Sequence, residues 1–114
     1  MQYMILIYGE EDASEGIPSA EELAPWIAYD QKLRDAGVFV AGDALMPTST
    51  ATTVTMGADG FDVTDGPFAE TREALGGYYL IECADLDQAV EWAKGCPAVH
   101  YGRIEVRPVM VFNQ

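Results

Sequence analysis

Basic side chains are the scarcest chemistry in this chain. Of its 114 residues only six are Lys or Arg, against nineteen Asp or Glu, a formal net charge of −13 at pH 7. A phosphate backbone and an anionic membrane both call for basic patches, so neither nucleic acid nor membrane is an expected partner. Histidine occurs once, at His100, and cysteine twice, at Cys83 and Cys96, with no CxxC spacing and no neighbouring histidine. No zinc or redox motif results, no metal or cofactor is expected, and two reduced, buried thiols are the default. No apolar run approaches the roughly 18 residues of a membrane span, and no basic segment leads into Tyr3–Tyr8, so a cytoplasmic location is expected. Phosphate loops, HExxH and nucleophile elbows are also missing.

What is present is enough apolar material for a core. Hydrophobic residues make up 49% of the sequence, which fits one folded domain over residues 1–114. Tyr3 to Tyr8 is apolar at both alternating sets of positions, the pattern of a central strand covered on both faces. An acidic loop from Gly9 to Pro18 follows. Ser19-Ala20-Glu21-Glu22 then has capping-box spacing for a helix with Leu23, Trp26, Ile27 and Leu33 as its apolar stripe and Gly37 at its end. Val38 to Leu45 reads as a strand. Thr50–Met56 and Phe61–Thr64 read as a hairpin around Ala58-Asp59-Gly60.

A loop from Asp65 to Gly77 crowds turn formers, Phe68 and four charged side chains into a stretch without helix or strand periodicity. Tyr78 to Cys83 is a second candidate central strand. Asp85 caps a helix with Leu86, Ala89, Val90 and Ala93 inward, ending at Gly95 before Pro97. Arg103 to Phe112 is the last strand, with Arg103, Glu105 and Arg107 on one face and Ile104, Val106, Met110 and Phe112 on the other. Its proline suits an edge.

With the hairpin set aside, the order is βαββαβ: an α+β, ferredoxin-like antiparallel sheet with both helices on one face and the first and third strands central. Those central strands are apolar on both faces, yet the helices cover only one. A second copy of the chain is the simplest cover, and a homodimer is expected.

Asp65-Gly66-Pro67-Phe68, Glu70-Thr71-Arg72-Glu73, Gly76-Gly77, Cys96-Pro97 and Gly102-Arg103-Ile104-Glu105-Val106-Arg107-Pro108 together resemble the DGPF family of YCII-related proteins, over nearly the whole length. The resemblance implies dimers whose two sheets pack face to face around a cavity, the dimeric α+β barrel. In the broader YCII group a first-helix histidine and an aspartate before a proline form a proposed acid/base pair. Trp26 and Cys96 stand at those places here, so the resemblance carries over no acid/base pair. It also implies an association with extracytoplasmic-function sigma factors.

Candidate site residues follow from placing the loop at the mouth of such a cavity. Asp65, at a strand end before Gly66-Pro67, either aims its carboxylate inward as a general base or polar anchor, or caps its own turn. Phe68 is an anchor or a ligand contact. Glu70 and Arg72, with Glu73, form a rim network or a solvated loop. Arg107 and Arg103 face the dimer side if Ile104 and Val106 pack under the helices, and Arg107 then clamps a small anionic ligand or pairs with Glu70 or Glu105. His100, without a nearby carboxylate, is read as incidental. Two functions are expected from this: a small-molecule-binding or cofactor-independent enzyme domain with its cavity at the dimer interface, or a non-catalytic regulatory or interaction protein.

Overall fold

A computed structural model describes residues 1–11 and 18–112; the middle of the expected acidic loop lies outside them. Its strands are β1 (Gln2–Gly9), β2 (Phe39–Ala44), β3 (Thr52–Gly57), β4 (Gly60–Asp65), β5 (Ala74–Glu82) and β6 (Arg103–Pro108), and its helices α1 (Ala20–Asp35) and α2 (Leu86–Lys94). The main sheet has the order β2-β5-β1-β6 and is antiparallel throughout, while β3 and β4 pair separately as a two-stranded sheet. The strands apolar on both faces, β1 and β5, are the central ones, as expected.

Both helices start on side-chain caps. The Ser19 hydroxyl accepts from the Glu22 N–H at 3.2 Å while the Glu22 carboxylate accepts from the Ser19 N–H at 3.3 Å, a complete capping box. Asp85 accepts from the Gln88 N–H at 2.9 Å and starts α2 in the same manner. The helices lie on one face of the sheet. There Tyr29 and Leu33 of α1 and Ala89 of α2 join Tyr3, Ile5, Tyr79 and Ile81 in one core, with Phe39, Ile104 and Val106 packed at its margin. Ile5, Leu33 and Ile81 have no solvent exposure, and burying each such side chain contributes about 1.5–3 kcal/mol.

The phase of α1 differs from the expected stripe. Leu23 and Ile27 face solvent, while Trp26, Tyr29 and Leu33 turn inward. Positions 26, 29 and 33 follow the same helical spacing, and the decisive contact is long-range: the Tyr29 hydroxyl donates to the Trp92 carbonyl at 2.8 Å, tying α1 to α2. The Tyr29 ring also meets Tyr79 edge-on, with centroids 5.4 Å apart.

Two boundaries move as well. β5 begins at Ala74, so the expected loop shrinks to residues 66–73. Gly77 pairs with Ala44, and a Cβ there would sit 2.9 Å from the Asp43 carbonyl oxygen; this glycine permits close strand approach instead of marking a turn. β6 stops at Pro108, leaving Met110 and Phe112 exposed beyond it.

Candidate functional site

The face of the sheet away from the helices carries a second set of side chains from the same strands. Because side chains alternate along a strand, Met4, Leu6 and Tyr8 of β1 and Tyr78 and Leu80 of β5 point opposite to Tyr3, Ile5, Tyr79 and Ile81. The register arranges them in rows across the sheet. One row runs Ala41, Leu80, Met4, Arg107; the next runs Asp43, Tyr78, Leu6, Glu105. The centre is therefore an apolar strip of Met4, Leu6 and Leu80, and its two borders are polar and of different character.

On the β2 border the Tyr78 hydroxyl donates to an Asp43 carboxylate oxygen at 2.8 Å. This hydrogen bond, followed by the Asp43 charge itself, pushes the Tyr78 phenol above its usual value, since both favour the protonated form. With its proton committed to Asp43, the phenol shows an incoming ligand its lone pairs, beside the remaining carboxylate oxygen. On the β6 border stand Arg103, Glu105 and Arg107, as expected from Ile104 and Val106 packing under the helices. Arg103 is paired with Glu73 at 3.1 Å, whereas the Arg107 guanidinium lies 4.0 Å from the Glu105 carboxylate, at the limit of an ion pair. Arg107 is the less committed of the two cations.

The loop residues lie elsewhere. Asp65 closes β4 opposite Thr52 in the hairpin sheet, and no hydrogen bond or ion pair joins it to Arg107 on the far edge strand of the main sheet. Its turn is held by other groups. The Gly66 N–H donates to the Ala51 carbonyl at 2.7 Å, and the Thr53 hydroxyl donates to the Gly66 carbonyl at 2.8 Å. The expected self-capping by the Asp65 side chain is not among the described bonds. Gly66 itself has φ +101°, a conformation L side chains rarely adopt.

Phe68 is 89% exposed, so it anchors nothing within the chain. Arg72 pairs with Glu10 at 3.0 Å, both well exposed, a contact of small energetic weight. Glu70 lines a hollow of about 350 Å³ together with Thr48, Ser49, Pro67, Ala69 and Thr71. Within a single chain, no described hydrogen bond or ion pair joins any two of Asp65, Phe68, Glu70, Arg72 and Arg107. The Asp43–Tyr78 pair escaped the sequence reading; an acid among the small residues of β2 was the available signal.

Trp26 and Cys96, read as standing where the resemblance would put an acid/base pair, both belong to the core. Trp26 packs against the core, and Cys96 has no solvent exposure, its thiol pushed up by burial. His100 is exposed in the turn Pro97–His100 that precedes β6. Among the described residues no group of three or more His, Cys, Asp or Glu side chains is placed to hold a metal ion, and no helix is long and apolar enough to cross a membrane.

Comparison with known proteins gives the chain relatives. The family model described as the YCII-related domain matches residues 1–113. An uncharacterised protein of Rhizobium meliloti (strain 1021) is 35% identical over 118 residues, covering 99% of this chain and 95% of the relative. The chain belongs to the YCII-related family.

Proposed function

We infer that this protein binds a small anionic molecule with an apolar body on the open face of its sheet, in a cavity closed by a second copy of the chain. The observation that carries this reading is the half-buried strip of Met4, Leu6 and Leu80, on the face away from the helices, beside a loosely paired Arg107. A carboxylate can take a bidentate pair of hydrogen bonds from the guanidinium while its hydrocarbon part lies on the strip. The strong negative charge elsewhere makes the arginine border the place where an anion is tolerated. Asp43 and Tyr78, on the opposite border, accept hydrogen bonds and orient any donor group the ligand carries. No residue of this face forms an acid/base pair with His100 among the described contacts, so the reading is of binding, with catalysis left out of it.

The test is a titration of the isotope-labelled chain with sodium hexanoate, followed by amide chemical shifts. Shifts confined to Met4, Leu6, Leu80 and their neighbours, and lost in Arg107→Gln, are expected. Equal binding by wild type and Arg107→Gln, or shifts gathered around the Glu70 hollow, would overturn the assignment.

A further inference from the structure

Val54, Met56, Phe61 and Val63 form the apolar face of a sheet that none of the described residues covers. β3 and β4 pair only with each other, and their register sets Val54 opposite Val63 and Met56 opposite Phe61 on one face. Each of the four is between 61% and 73% exposed. Thr53, Thr55, Asp62 and Thr64 take the other face, so the hairpin has the alternation of a strand pair with one side in a core. An isolated hairpin is at best marginally stable in water. The hairpin is an arm: the chain has a radius of gyration of 16.3 Å, where a compact domain of this length has about 13 Å.

We propose that each arm lies apolar face down on a second copy of the chain, closing the ends of the space between two open sheet faces. This rests on the reading that a second copy covers the open face. Area favours that occupant. With strands about 4.8 Å apart and about 3.3 Å per residue, the open face of the main sheet has a flat footprint of about 400 Å². A standard interface buries about 800 Å² per partner, roughly twice as much. An arm's apolar face adds about 200 Å² and covers as much again on the partner, and two-fold symmetry makes each copy both donor and acceptor of an arm.

Charge points the same way. Two copies at −13 repel each other over most of their surface. The arm's apolar face and the strip of Met4, Leu6 and Leu80 carry no charge, so like-charged copies can meet there without burying unpaired acids. Continuity adds to this, because the arm leaves the chain after β2, the edge strand bordering the open face, and returns into β5 beside it. Asp65, paired with Thr52 at the root, marks where the apolar face ends.

The experiment is sedimentation equilibrium of the full chain and of two variants. Val54→Thr/Phe61→Thr keeps residues that favour strands, and Leu80→Glu charges the open sheet face. The expected result is a dimer whose dissociation constant rises roughly 30-fold or more in the arm variant. Amide exchange in the wild-type arm should also slow as protein concentration rises, a measurement that holds even if the arm variant fails to fold. An arm variant that dimerises as wild type does, while Leu80→Glu does not, would overturn the arm and leave the sheet-face cavity standing. A wild-type chain that stays monomeric, or arm exchange independent of concentration, overturns the proposal, and monomers remove the closed cavity as well.

Discussion

The covered and open faces of the sheet are made from alternate residues of the same strands, and they teach different things. On the covered face, Ile5, Tyr79 and Ile81 find partners inside the chain and are buried. One residue away, Met4, Tyr78 and Leu80 are of similar size and apolar character yet only half-buried. The covered face is a folding surface whose energetics close within one molecule. The open face combines apolar area with an oriented Asp43–Tyr78 pair and an under-paired Arg107, a mixture that folding alone does not require.

The widest separation between the faces should come from truncating neighbours on β5. Ile81→Ala removes a side chain with no exposure and should lower stability by about 2–5 kcal/mol in urea unfolding. Leu80→Ala should lower it by about 1 kcal/mol or less in dilute solution, with a larger loss appearing only as concentration rises. A dilute-solution loss at Leu80 matching that at Ile81 would break the contrast.

A smaller effect isolates the arm from both faces. Gly66→Ala forces an L side chain into φ +101° although a Cβ there would meet nothing within 4 Å, so backbone strain alone should lower stability by about 1–3 kcal/mol. Gly9→Ala also meets open space, without a positive φ, and should stay within about 0.5 kcal/mol of wild type. Equal unfolding midpoints for the two variants would show that the conformation at Gly66 carries no constraint on the arm's root.

Much of this was legible in the sequence where one local rule decides the outcome. Ser19 with Glu22 and Asp85 with Gln88 announce the helix starts through short-range hydrogen bonds, and the doubly apolar β1 and β5 announce the centre of the sheet. What was not legible depends on contacts distant in sequence. The stripe read for helix α1 holds Ile27 and not Tyr29, and the inward phase rests on long-range contacts such as the Tyr29–Trp92 bond, 63 residues apart in sequence. The Asp43–Tyr78 pair spans 35 residues and exists because the β2–β5 register places them side by side. The Asp65–Gly77 run drew attention through its turn formers, yet Gly77 works as a strand glycine and Gly66 as a root for the arm. The charged side chains between them reach solvent or exposed partners.

The finest comparison lies between the adjacent phenols Tyr78 and Tyr79, both raised above the ordinary tyrosine value of 10.0 but for different reasons. Tyr79 is pushed up to about 12 chiefly by burial, with the Asp30 charge adding to it. Tyr78 is raised first by its hydrogen bond to Asp43. A group whose value is raised on folding stabilises the fold fully below its unfolded value, and that contribution disappears as pH climbs through the folded value. Tyr79 should therefore leave stability unchanged across neutral pH and withdraw its contribution between pH 10 and about 12. Asp43→Asn removes the acceptor charge that holds the Tyr78 proton, so the Tyr78 resonance should titrate at lower pH in that variant while the Tyr79 resonance stays where it was. Carbon-detected NMR of the tyrosine rings resolves the two. If Asn at position 43 moved both phenols together, or neither, the open face would lose its oriented pair, and Tyr78 would differ from Tyr79 only in how much water reaches it.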